Sequence, residues 1–106
     1  CNPCNPSGLI VPQEKLDKLV ELCRNYGSYL ILDEVYADFV FSEKARFYSP
    51  VQNPNGIPEN VIAVRGFTKC LGTQSWRLGY LIACSKLVAG IMAEHDPIYI
   101  SCMNYA

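Results

Sequence analysis

The sequence predicts an α/β domain whose sheet is mainly parallel. Three observations lead there: a helical period of apolar residues beginning after Pro12, three apolar runs of strand length, and the alternation of the two along the chain. No internal repeat, low-complexity tract or charge block divides the 106 residues, which read as one continuous piece.

Residues 1–11 are dense in Asn, Pro and Gly and read as a loop. From Pro12 onward Leu16, Leu19, Val20 and Cys23 recur at helical spacing, while Glu14, Lys15, Asp17, Lys18 and Glu21 face outward. This is an amphipathic helix. Pro12 suits its first turn, where no backbone N–H partner is needed, and Gly27 suits its stop.

The segment "SYLILDEVY" carries a continuous apolar run between Gly27 and Asp33, the pattern of a strand buried on both faces as in a parallel sheet. Residues 42–60, with Pro50, Pro54, Asn55-Gly56 and Pro58, form a long connection. A second strand is predicted in "NVIAVRGF" and a third in "LGYLIAC". Ser85 is placed to cap a last helix carrying Leu87, Val88, Ile91 and Met92, which Pro97 ends.

Composition narrows the function classes. The chain is 50% hydrophobic and 18% charged, as in an ordinary globular protein, and its nine basic and ten acidic residues leave a formal charge of −1. Such a balance gives no positive field to attract nucleic acid or an anionic membrane. No run approaches the roughly 20 apolar residues of a membrane-spanning helix. Six cysteines could suggest a disulfide framework, but Cys23 falls on the helical stripe and Cys84 ends an apolar run, where reduced cysteine packs as a small hydrophobe. Cys1 and Cys4 have C-x-x-C spacing, yet Cys70, Cys84 and Cys102 are too dispersed to complete a tetrahedral zinc site. Reduced thiols in a cytoplasmic compartment and no metal are the expectation. The opening at Cys1 in a Pro-rich loop, and the close on "YISCMNYA", read as those of a piece of a longer chain.

In open α/β sheets ligands bind beyond the carboxyl ends of the strands. Asp33 and Lys69 each stand just past an apolar strand, so neighbouring strands would turn both toward one crevice, with Tyr36 and Arg77 close enough in sequence to join them. An amine can form an imine with an aldehyde, a carboxylate can keep a ring nitrogen protonated, and a guanidinium matches phosphate oxygens. The set suits a phosphorylated aromatic aldehyde, pyridoxal phosphate (PLP). On spacing alone, a solvated surface pair of Asp33 and Lys69 is the commoner arrangement.

"NPCNPSG", "LDEVYADFVF" and "RGFTKCLGTQSWRLGY", in this order and at these separations, resemble the PLP-binding core of the class I and II (fold-type-I) aminotransferases. The resemblance covers nearly all of the chain and implies that residues 1–106 are a fragment of the PLP-binding large domain, with its beginning, its remainder and a C-terminal small domain lying elsewhere. It implies Lys69 as the Schiff-base lysine and proton carrier and Asp33 as the partner of the pyridinium nitrogen. Asn5 and Tyr36 would hydrogen-bond the ring's phenolic oxygen, while Thr68 and Arg77 would hold the phosphate. A cis peptide before Pro6 is also implied. The activity implied is ping-pong transfer of an α-amino group between an amino acid and a 2-oxo acid, in a homodimer. A carbon-sulfur lyase or synthase of the same fold, or an inactive truncated copy, would carry the same motifs.

The pattern is departed from at two positions. Gly66 stands where many relatives have a hydroxyl residue on the phosphate, and Ser7 where Thr is more usual. Among other residues, Trp76 is expected to pack at a strand entry, His95 to offset a helix dipole, Glu34 and Asp38 to be solvated or paired at the surface, and Cys70 to pack beside the lysine.

Overall fold

The computed structural model describes residues 1–42 and 46–95. The predicted helix stop at Pro97, together with Tyr99, Cys102 and Tyr105, lies outside the described residues.

The first helix, α1, spans Gln13–Asn25, and Pro12 precedes it in extended geometry, its carbonyl accepting from Lys15 N and Leu16 N at 3.0 and 3.1 Å. At the other end Gly27 takes φ +62, donating to Arg24 O at 3.0 Å while Ser28 N donates to Cys23 O at 2.7 Å. This pair of bonds is a Schellman stop, and the positive φ is why glycine stands there. Leu16 and Val20, one turn apart, are buried, but Leu19 is 40% exposed. The buried stripe is therefore narrower than the spacing predicts.

Three strands follow: β1 (Leu30–Asp33), β2 (Val61–Gly66) and β3 (Gly79–Ala83). A short helix, α2 (Phe67–Cys70), continues directly from β2, and α3 (Ser85–His95) follows β3. The sheet order among the described residues is β1-β2-β3. β1 and β2 are parallel, with Asp33 opposite Val64, and β3 returns antiparallel to β2, with Gly66 opposite Gly79. The long connection between β1 and β2 contains a 3-10 turn, Pro50–Gln52, whose Pro50 and Val51 are buried. Ser85 lies inside α3, whose first turn is closed by Val88 N donating to Cys84 O at 3.0 Å. The helix thus starts one residue earlier than a Ser85 cap would place it.

The core lies on one face of the sheet. Leu16 and Val20 of α1 meet Leu32, Val61 and Ala63 of the strands and Val51 of the connection, with Tyr48, Ile57 and Ile82 packed at the edge. A fully buried Leu or Val side chain contributes on the order of 1.5–3 kcal/mol. Among the described residues, the other face is open at β1. Ile31 is 65% exposed, and Val64 and Leu81, its neighbours on that face, are also exposed. The expectation of a strand buried on both faces is corrected here. Leu32 packs under α1, whereas the principal strand contact of α3 is with β3.

Candidate active site

Parallel pairing of β1 and β2 brings their carboxyl ends side by side. The ladder runs on past Asp33, as Glu34 N donates to Val64 O at 2.9 Å. Side chains alternate across the sheet at this point: Leu32 and Glu34 are buried and Asp33 between them is exposed. The Asp33 carboxylate accepts from Val35 N at 3.1 Å, which holds the turn that follows the strand.

Tyr36 comes out of this turn and meets the N-terminal loop. Asn5 Nδ2 donates to the Tyr36 hydroxyl at 3.1 Å. The loop reaches this position because Asn2 is buried and fully engaged. Its backbone N–H donates to Asp33 O at 2.8 Å, and its side-chain Oδ1 accepts from Val11 N at 2.9 Å. Within the loop, Gly8 N donates to Cys4 O at 2.7 Å and Cys4 N to Leu9 O at 2.9 Å. The peptides before Pro3 and Pro6 are both cis.

On β2 the chain passes from Gly66 straight into α2, so Thr68 and Lys69 stand at the carboxyl end of the strand beside β1. Lys69 is exposed and Thr68 half-buried. Phe67 N donates to Leu78 O at 3.3 Å, tying the start of α2 to the segment that carries Arg77. Arg77 has φ +52, a left-handed conformation uncommon for a residue with a side chain. The structure thus joins Asn5 to Tyr36 by a direct bond and links the segments bearing Asp33, Thr68, Lys69 and Arg77 through backbone pairing.

Four side chains depart from expectation. Glu34 is not at the surface: its side chain is 0% exposed and its Oε2 accepts from both Nε and Nη2 of Arg65 at 3.0 Å. Glu34 follows Asp33 by one residue, so the alternation that exposes Asp33 turns Glu34 inward. Trp76 is 45% exposed in the turn before β3, so it is only partly covered at the strand entry. Cys70 is exposed instead of packed, with its Sγ 3.4 Å from Gly66 O. Met92 on α3 is 50% exposed.

Arg65 is the residue sequence reasoning missed. Its signal was a lone charge inside the otherwise apolar "NVIAVRGF", where a buried cation requires a partner. Burial works against its charge, but the hydrogen bond and charge of Glu34, followed by those of the Tyr80 phenol, outweigh it and hold the guanidinium above its ordinary range. Its central carbon, Cζ, lies 5.9 Å from the Phe47 ring centroid.

Amine, carboxylate, phenol, amide, hydroxyl and guanidinium therefore come from segments meeting at one end of the sheet. That donor set fits a ring bearing an aldehyde, a basic nitrogen, a phenolic oxygen and a phosphate.

The profile of the class I and II aminotransferases matches residues 1–104. An aspartate aminotransferase of Thermotoga maritima is 33% identical over 103 residues, covering 97% of this chain and 26% of that protein. A crystal structure of aspartate aminotransferase from the same organism superposes with a TM-score of 0.77 at 29% identity, over 97% of this chain and 26% of the other. A PLP-bound protein of Clostridium difficile, 20% identical, shares the fold with a TM-score of 0.81 over 98% of this chain and 27% of its own. The chain spans about a quarter of the length of the curated relatives it matches, 26% for the Thermotoga enzyme.

Proposed function

This chain belongs to the class I and II aminotransferase family, and on that premise we propose that residues 1–106 are part of the PLP-binding large domain of an enzyme that moves an α-amino group from an amino acid to a 2-oxo acid. The observation that carries the reading is the parallel pairing of β1 with β2, which brings the last residue of one strand and the turn after it, Asp33 and Tyr36, to the same end of the sheet as Thr68 and Lys69, which follow the other.

In this reading Lys69 supplies the amine that anchors the cofactor, and Asp33 keeps a proton on the ring nitrogen. Asn5 and Tyr36, already bonded to each other, face the phenolic oxygen. Thr68 and Arg77 hold the phosphate. Bound PLP supplies an electron-withdrawing ring that stabilises negative charge on the substrate α-carbon. Lys69 Nζ, freed when the substrate's amine takes its place, would carry the proton from the substrate α-carbon to the former aldehyde carbon, and its side chain is exposed. The Asp33 carboxylate matters because a ring nitrogen without its proton withdraws far less charge. The complete protein is read as a homodimer in a reducing compartment. Among the described residues no helix is long and apolar enough to cross a membrane.

The test is a donor screen with the full-length protein, PLP, a 2-oxo acid acceptor, and alanine, aspartate, glutamate or an aromatic amino acid. Formation of the matching 2-oxo acid is expected, abolished by Lys69→Ala and reduced by orders of magnitude by Asp33→Ala. Release of pyruvate and ammonia from cystathionine, with no amino transfer from any donor, would contradict the assignment.

A further inference from the structure

The Glu34–Arg65 pair has no part in the site as described, yet it lies directly beneath it. Glu34 is one residue past Asp33 and Arg65 four before Lys69. In the parallel register that sets Asp33 opposite Val64, the next step sets Glu34 beside Arg65. Because Asp33 and Glu34 alternate across the sheet, Glu34 faces the core and cannot reach a ring held on the Asp33 side. The pair is also built for geometry rather than for maximal bonding. Both guanidinium donors converge on one oxygen, Oε2, while Oε1 is buried without a hydrogen-bond partner among the described residues.

A buried ion pair of this kind is costly, and an apolar pair of similar volume is commonly as stable or more so. Fold stability therefore does not account for it. What the pair does supply is a fixed, directional link between the carboxyl ends of β1 and β2, the two strands whose extensions carry the carboxylate and the amine. The Phe47 ring against the guanidinium, 5.9 Å to its centroid, restricts that link further.

We propose that Glu34 and Arg65 are positioning residues that set the spacing of Asp33 and Lys69, and so the alignment of the lysine amine with the ring that Asp33 holds. This rests on the reading of Lys69 as the cofactor lysine. A displacement of about 1 Å at such a site costs on the order of a hundredfold in rate.

The experiment uses the full-length holoprotein and the double variant Glu34→Met/Arg65→Leu, which removes both charges together, with Arg65→Lys as a second variant that keeps the charge and loses the two-donor fork. Three readouts are taken: borohydride labelling of Lys69, the pH midpoint of the bound cofactor's visible absorption change, and kcat against KM. Positioning predicts labelling retained, a shifted midpoint in both variants, and a kcat lowered about tenfold or more with KM changed less than about twofold. Wild-type midpoint and kcat in a folded, labelled double variant would overturn the proposal and leave the cofactor reading intact. If the double variant does not fold, Arg65→Lys decides by the same two values. An absence of label on Lys69 in the wild-type protein would overturn both.

Discussion

Asn5 and Tyr36, separated by 31 positions in the chain, are joined side chain to side chain at 3.1 Å, and both are accessible to solvent. An exposed neutral bond of this kind contributes about 0.5–1.5 kcal/mol at most. Asn5→Ala and Tyr36→Phe are each expected to lower unfolding free energy by no more than that. Their double-mutant cycle should show a coupling of similar size, read from urea denaturation. Additive effects would mean that the two side chains do not meet in solution.

Gly66 and Gly79 face each other across β2 and β3 but tolerate different changes. A Cβ at Gly79 would stand 2.9 Å from Arg65 O, a backbone atom that cannot yield without moving the strand, whereas at Gly66 the nearest atom is Leu78 O at 3.6 Å. Gly79→Ala is expected to cost about 1–3 kcal/mol through this overlap. Gly66→Ser should leave the thermal midpoint nearly unchanged while adding a hydroxyl beside Thr68, a proposed phosphate contact, and so tighten cofactor binding. Equal melting shifts for the two variants would contradict the distinction.

Tyr48 donates from its hydroxyl to Asp17 Oδ1 at 3.0 Å and links the long connection to α1. Burial raises the phenol above its ordinary 10.0, and the hydrogen bond to Asp17 and the charge of Asp17 raise it further. Folding therefore favours the neutral phenol. Its contribution is complete below pH 10.0 and is lost as pH rises through the higher folded-state value. Unfolding midpoints measured from pH 8 to pH 11 should fall less steeply in Tyr48→Phe than in the parent protein. Parallel curves would remove Tyr48 from the account.

Much of this was readable from residue order because local chemistry decided it. The Pro12 start and Gly27 stop of α1 follow from backbone constraints that few other residues satisfy, and the three strands follow from apolar runs. Positions depending on what covers a face were harder. Ile31 has the sequence of a residue buried in a parallel sheet, yet it is exposed, since α1 packs on the Leu32 face and the open face of β1 belongs to a chain that spans about a quarter of its relatives' length. Glu34, like Asp38, has the sequence setting of an acid solvated or paired at the surface. Period-two alternation from buried Leu32 would have turned it inward, and the lone arginine in the next strand would have named its partner. Asn2, buried with its N–H on Asp33 O, shows the same limit: its role depends on a strand 31 residues away.

The most direct measurement is the site of covalent attachment. The full-length protein, saturated with PLP and reduced with borohydride, is digested and its peptides are weighed. Phosphopyridoxyl on the peptide containing Lys69, and its loss in Lys69→Ala, is the predicted result. Label on Lys15, Lys18, Lys44 or Lys86 in place of Lys69, or none at saturating cofactor, would contradict the assignment of this strand end as the cofactor's anchor.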